Sequence, residues 1–169
     1  PRARAALPVE AAAAGDLVIV TIPMHALDTL PVEELAGKIV IDTNNYYPQR
    51  DGNIADLDDE RTTTAELLQA RLADSLVVKA FNHIYAADLT THGQPAGSEN
   101  RRALVLAGDD ASARDVVTAL LDEFGFDSLD LGPLSEGWRI QRDTPGYGPR
   151  MNEFELREAV STATRYRDM

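Results

Sequence analysis

Residues 16–27 read DLVIVTIPMHAL, and the run at 17–22 decides the fold. Leu17, Val18, Ile19, Val20, Thr21 and Ile22 follow one another without a charged break, and Pro23 ends them. β-branched residues at this density predict a strand. A run without alternation predicts one buried on both faces, as in a parallel sheet covered by helices. Such a strand needs neighbours, and only residues 1–15 precede it.

The same pattern recurs downstream. Residues 9–14 (VEAAAA) read as the end of a helix stopped by Gly15. Residues 25–38 (HALDTLPVEELAGK) read as a broken helical connection with Gly37 as a stop. A second strand is predicted at 38–43 (KIVIDT), then a loop rich in turn formers at 44–53 (NNYYPQRDGN). Thr62, Thr63 and Thr64 are candidate caps for a helix at 65–72, with Leu67, Leu68 and Leu72 on one face. A third strand is predicted at 75–82, a long loop at 86–100 and a fourth strand at 102–107. Asp110 caps a helix over 111–125 whose apolar stripe is Val116, Val117, Leu120, Leu121 and Phe124. A short fifth strand lies within 127–134, and a closing helix spans about 153–166 with Phe154, Leu156, Ala159, Val160 and Ala163 for packing. That helix docks either on its own chain or on a homodimer partner.

Strand, crossover, strand, repeated, predicts an α/β domain with a mostly parallel sheet and helices on both faces. Right-handed crossovers put the C-terminal ends of the strands along one side, where open α/β sheets bind ligands. Three clusters should meet there. They are Thr21, Ile22, Pro23, Met24 and His25 after the first strand, Asp42, Thr43, Asn44, Asn45, Tyr46 and Tyr47 after the second, and Ala80, Phe81, Asn82, His83, Ile84, Tyr85 and Ala86 after the third. Flat apolar surface beside amides, hydroxyls and imidazoles suits a planar heteroaromatic ligand. Each cluster also has a plain reading: Pro23 as a strand end, Asn44–Asn45 as a turn, His83 as a satisfied residue at a helix start. His92 is expected in solvent, the acids of 56–60 on a solvated surface, and Trp138 as a packing anchor.

The composition narrows the partners. A net charge of −12 argues against nucleic acid, whose phosphates need a basic face, and against an anionic membrane surface. There are no cysteines and three scattered histidines, so neither disulfides nor a familiar metal spacing is expected. No apolar stretch approaches the roughly 18 residues of a membrane span, and a cytoplasmic protein is expected. The sequence also lacks G-x-S-x-G, H-E-x-x-H, a Walker loop and G-x-G-x-x-G after a strand.

Taken together, GDLVIVTIP, KIVIDTNNYYPQRDG, VVKAFNHIYA, NRRALVLAGDD and LDEFGFDSLDLGPL resemble the F420-dependent NADP oxidoreductase-like family of dinucleotide-binding proteins. The cytoplasmic reductase domains of STEAP-type metalloreductases are similar in the same blocks. The resemblance implies a partial NAD(P)-binding Rossmann-like unit over 1–135 and a C-terminal loop and helix over 136–169. It implies that residues 21–25, Asn44 and Asn45 flank the nicotinamide of NADP(H), with Phe81 and Asn82 nearby. It places Ile84 and Ala86 where nicotinamide and the deazaflavin coenzyme F420 meet, and gives His83 or Tyr85 an acid or orienting role. His83 and Tyr85 differ from the residues expected in the archaeal enzymes of this kind.

The implied activity is hydride transfer between NADP(H) and a second planar acceptor, a small-molecule redox substrate such as F420. The alternatives are a non-catalytic dinucleotide-binding or dimerisation module, and a ferric or flavin reductase. The resemblance also implies that the strand at 17–22 is the fourth of the family's sheet, paired with a first strand whose Gly-rich unit this sequence does not contain. The expected remedies for its edge are a longer protein, a partner chain, or residues 1–15 folding back over it.

Overall fold

A computed structural model describes residues 3–165. It contains one five-stranded sheet in the order β1-β2-β3-β4-β5. The chain opens with helix α1 (Pro8–Ala14), then β1 (Leu17–Val20), a 3₁₀ turn at Met24–Thr29, α2 (Val32–Leu35) and β2 (Ile39–Asp42). The short helix α3 (Pro48–Asp51) breaks the segment expected to be loop, a second short helix α4 (Ala55–Asp58) follows it, and α5 (Thr64–Arg71) leads into β3 (Leu76–Ala80). One further turn, α6 (Ala86–Leu89), precedes β4 (Ala103–Gly108). Then come α7 (Ala111–Glu123), β5 (Asp127–Asp130), a 3₁₀ segment at Leu134–Ile140 and α8 (Glu153–Ser161). Tyr166, where the closing helix was expected to end, lies outside the described residues.

β1, β2 and β3 run parallel, with Val18 opposite Val40 and Val40 opposite Val77. β4 then reverses against β3, and β5 runs parallel to β4. The fold is a mostly parallel, Rossmann-like α/β sheet, as expected. The expectation that every strand would end on one side is corrected: only β1, β2 and β3 do. A parallel return needs a crossover of a dozen or more residues, usually a helix. The only helix between β3 and β4 is the four-residue α6, and the strand comes back antiparallel.

The continuous apolar strands follow from burial on both faces. On one face Ile41, Val78, Ala80, Leu104 and Leu106 pack beneath Ala113, Val117 and Leu121 of α7. On the other, Val20, Val40 and Val77 meet Ala12, Leu35, Ala65 and Leu68 from α1, α2 and α5. At the far end Val105 and Leu129 pack against Ile140, Leu156 and Val160. Thus α8 docks on its own sheet, although Phe154 points outward at 74% exposure.

β1 departs from its expected double burial. It is an outer strand, and Ile19 is 49% exposed, because α7 packs mainly over β3, β4 and β5. Residues 8–14 add no strand to the β1 edge. They form α1, which packs on α2, and the carbonyls of Ala12 and Gly15 accept from Lys38 Nζ at 2.5 and 2.8 Å.

The caps read from sequence are in place. Thr63 Oγ1 accepts from Glu66 N–H at 3.1 Å while Glu66 accepts from Thr63 N–H at 2.7 Å. Asp110 accepts from Ala113 N–H at 2.8 Å. Trp138 is buried between the guanidinium groups of Arg139 and Arg165, 4.5 and 4.8 Å from its ring. Glu60, expected on a solvated surface, is buried. Among the described residues no helix is long and apolar enough to cross a membrane.

Candidate functional site

The C-terminal ends of β1, β2 and β3 open into a slot of about 400 Å³ beside the end of α7, on the α7 side of the sheet. Ile19 and Thr21 come from β1 and its end, Thr43 and Asn45 from the end of β2, and residues 81, 82 and 84–86 from the end of β3. Leu89, Phe124 and Tyr147 complete the wall. Apolar walls with a few fixed polar groups are what a flat ring requires.

Local geometry explains why these side chains face inward. Phe81 adopts φ +60 immediately after β3, a left-handed conformation that costs a non-glycine residue about 1–2 kcal/mol. The turn brings the Phe81 ring to 6.0 Å from that of Phe124. Gly125, at φ +93, ends the α7 segment, and a Cβ there would lie 2.6 Å from the Gln94 nitrogen. Only glycine lets the loop at 93–94 close against Phe124. At the rim, the hydroxyls of Thr21 and Thr43 lie 2.7 Å apart. Asn45 and Asn82 face each other: Asn45 Nδ2 donates to the Asn82 carbonyl at 2.8 Å, and Asn82 Nδ2 donates to Asn45 Oδ1 at 3.2 Å.

The slot therefore gathers Thr21, Thr43, Asn45, Phe81, Asn82, Ile84, Tyr85 and Ala86 from the expected set. The remaining residues lie elsewhere. Ile22 packs into the core beneath β1 and β2, Pro23 caps the 3₁₀ turn, and Met24 is buried. His25 turns toward Asp51, with Nδ1 3.3 Å from its Oδ1. Asn44 is buried below the rim, accepting from Ile22 N–H at 2.8 Å, and its Nδ2 has no partner among the described residues.

The acid role expected for His83 is corrected. Its imidazole is buried, and Nε2 accepts the backbone N–H of Val105 at 3.0 Å. Burial, with Arg102 and Lys79 nearby, lowers its pKa to about 3. It is a neutral structural acceptor with its lone pair committed. Tyr85, by contrast, is 66% exposed at the slot. His92 is not a free solvated side chain either: its Nδ1 lies 2.8 Å from Arg102 Nη1.

Sequence reasoning passed over Ile19, Leu89, Phe124 and Tyr147. Ile19 carried a usable signal, since it lies near the end of its strand. Tyr147 carried none. It arrives on the segment between the second 3₁₀ turn and α8, where Gly148 N–H donates to the His83 carbonyl at 3.1 Å and the Gly148 carbonyl accepts from Arg102 Nη2 at 3.1 Å.

Across the Asn45–Asn82 pair lies a smaller, polar cavity of about 160 Å³, lined in part by Thr64, Lys79 and Gln141. Lys79 is buried there and donates to Asp42 Oδ2 at 3.1 Å, to Thr64 Oγ1 at 3.0 Å and to the Asn44 carbonyl. All three of its donors are engaged. The lining of this cavity is more polar than that of the slot, which suits a flat ring less well.

The chain is thus a Rossmann-like α/β protein with a ring-sized slot at the ends of its parallel strands. No family model matches it. In sequence it is 42% identical over 53 residues to the protein YjhV of Escherichia coli, covering 31% of this chain and 39% of that one. It is 30% identical over 109 residues to metalloreductase STEAP3 of Rattus norvegicus, covering 64% of this chain and 20% of that one. The chain therefore spans well under half the length of either relative.

Among solved structures it is similar to a protein from Arthrobacter sp. FB24 assigned as an F420-dependent NADP reductase. The TM-score is 0.64 at 26% identity, over 78% of this chain and 62% of that one. It is also similar to the hypothetical protein SMa0349 from Sinorhizobium meliloti, with a TM-score of 0.68 at 26% identity over 86% of this chain and 70% of that one. The resemblance read from sequence blocks is met in these neighbours.

Proposed function

We propose that the slot holds the nicotinamide end of NADP(H) and that the chain takes part in hydride transfer to a second planar acceptor, with F420 the first candidate. The observation that carries this reading is the slot itself: about 400 Å³, flanked by Phe81, Ile84 and Phe124, with hydroxyls and amides confined to its rim. The similarity to the Arthrobacter protein, assigned as an F420-dependent NADP reductase, and to a metalloreductase supports the same chemistry.

The residues fit a nicotinamide ring. Ile84, Phe81 and Phe124 offer flat apolar contact and exclude water. Thr21 and Thr43 place two hydroxyls at the end of β1 and β2. Asn45 keeps one amide hydrogen without a partner among the described residues, suited to a carboxamide or ribose oxygen. When bound, a reduced nicotinamide supplies a hydride, meaning two electrons with one hydrogen nucleus, and any further proton for the acceptor comes from water. Such a transfer needs close, aligned, water-shielded rings more than it needs a strong acid, which agrees with a site whose histidine is buried and committed.

A fluorescence titration with NADPH tests this. Saturable binding at micromolar concentration, lost on Ile84→Asp, is the expected result, followed by F420 reduction under anaerobic assay. No binding up to millimolar NADPH overturns the reading and favours a non-catalytic module. The match to STEAP3 over 109 residues favours a second reading, a ferric or flavin reductase. NADPH-dependent reduction of ferric citrate or free flavin, without reduction of F420, selects it.

A further inference from the structure

The hydroxyls of Tyr47 and Tyr147 lie 2.9 Å apart, although the residues are 100 positions distant in the chain. Tyr147 lines the slot and Tyr47 stands behind it. Two phenols carry two hydroxyl hydrogens, and one hydrogen bond between them uses one. Neither hydroxyl has another partner among the described residues. One O–H donor is therefore unspent at the border of an otherwise apolar slot, and a half-buried phenol normally finds an acceptor.

The surroundings bear on which hydrogen is free. The guanidinium groups of Arg50 and Arg142 sit 5.0 and 5.3 Å from the Tyr47 ring centre. Cations over a phenol ring withdraw electron density and strengthen its O–H as a donor. Either hydroxyl can donate in the pair; with Tyr47 donating, the Tyr147 hydrogen is free for an acceptor in the slot. Burial and the Tyr47 hydroxyl raise the Tyr147 pKa, so the phenol keeps its proton at neutral pH. It is a hydrogen-bond donor and not a proton source. Gly148 holds Tyr147 in position through its bonds to the His83 carbonyl and to Arg102.

We propose that Tyr147, backed by Tyr47, is a positioning and specificity-determining residue for the acceptor: its hydroxyl donates to a carbonyl oxygen on the edge of the acceptor's ring system. The ligand class is a planar, carbonyl-bearing heteroaromatic, with flavins and deazaflavins as members. Hydride arriving on such a ring moves negative charge onto the conjugated carbonyl oxygen, where a fixed donor is worth most. The inference rests on the reading of the slot as a ring site, and it makes Tyr147 a selector among planar rings. An acceptor of the same shape without a carbonyl gains nothing from this hydroxyl.

The test is a binding titration of two tricyclic probes, lumiflavin, which carries two ring carbonyls, and phenazine, which carries none. Wild type, Tyr147→Phe and Tyr47→Phe are compared, with melting curves to verify that the fold is kept. Loss of one neutral hydrogen bond predicts roughly 3- to 10-fold weaker lumiflavin binding for Tyr147→Phe and a smaller loss for Tyr47→Phe. Phenazine binding should be unchanged. Equal weakening of both probes, no weakening of lumiflavin, absence of lumiflavin binding by wild type, or a loss confined to NADPH overturns the proposal. Lumiflavin discrimination without any NADPH binding keeps it and overturns the nicotinamide reading alone.

Discussion

Val105 N–H donates to the His83 ring at 3.0 Å, immediately beyond the last β3–β4 rung, Ala80 opposite Leu106. The imidazole takes over as acceptor where β3 leaves the ladder. This bond exists only with the ring neutral at Nε2, and the low pKa of His83, about 3, turns that into a pH dependence. Above the ordinary value of 6.5 folded and unfolded chains are both neutral here. As pH falls below 6.5 the unfolded chain takes up a proton that the folded one refuses, so stability drops by about 1.4 kcal/mol per pH unit toward pH 3. The urea midpoint of wild type should fall between pH 7 and pH 5, and His83→Gln should flatten that slope. A flat wild-type profile would show that the imidazole is not held neutral.

Asp51 sets a second, more acidic window. Burial alone would raise its pKa, but the Arg50 guanidinium, the Tyr47 N–H and His25 outweigh it and bring the carboxyl to about 2. Its contribution is complete above the ordinary value of 3.8 and is lost as pH falls through 2. Asp51→Asn should cost roughly 2 kcal/mol at pH 7. The difference from wild type should shrink toward zero near pH 2, measured by denaturation at each pH. A constant difference would assign the effect to packing.

Lys79 is held by Asp42, Thr64 and the Asn44 carbonyl inside the protein. Lys79→Met leaves Asp42 charged and buried, and should destabilise by about 3–5 kcal/mol. The double variant Lys79→Met, Asp42→Leu should recover most of that loss. Chemical denaturation of the single and double variants measures the coupling directly, and additive losses would contradict it.

At the slot, Ile84 is only partly buried, so a charge there should be tolerated by the fold. Ile84→Asp should weaken NADPH binding by at least about tenfold through the cost of burying an unpaired carboxylate against a ring, with an unchanged melting temperature. Ile84→Val should change affinity little. Full affinity in Ile84→Asp would move the ring site away from these strand ends.

Much of this architecture was readable because strand runs and helix caps are local. Residues 17–20, 39–42 and 76–80 fall inside predicted strands, 103–108 overruns its predicted strand by one residue, and Thr63 and Asp110 cap as expected. The reversal at β4 was readable in principle: the segment after β3 was seen to lack a long helix, and a parallel return needs one. In α7, Val117 and Leu121 face the core, but Val116 and Phe124 are 46% and 45% exposed. The helix stops at Glu123, so Phe124 leaves the stripe and turns to the slot. Residues adjoining strand ends could be placed by topology alone. His83 could not, because only the partner strand shows that its ring replaces a backbone acceptor. Nor could Tyr147, since no spacing rule links it to Tyr47.

The reversal between β3 and β4 also divides the molecule's freedom to change. Everything that builds the slot floor follows β1, β2 and β3, while the turns after β4 and β5 open on the opposite side. Insertions and substitutions around Asp109 and Gly132 can therefore accumulate without touching the ligand side, and lineages carrying this fold can diversify one pole while the other stays constrained.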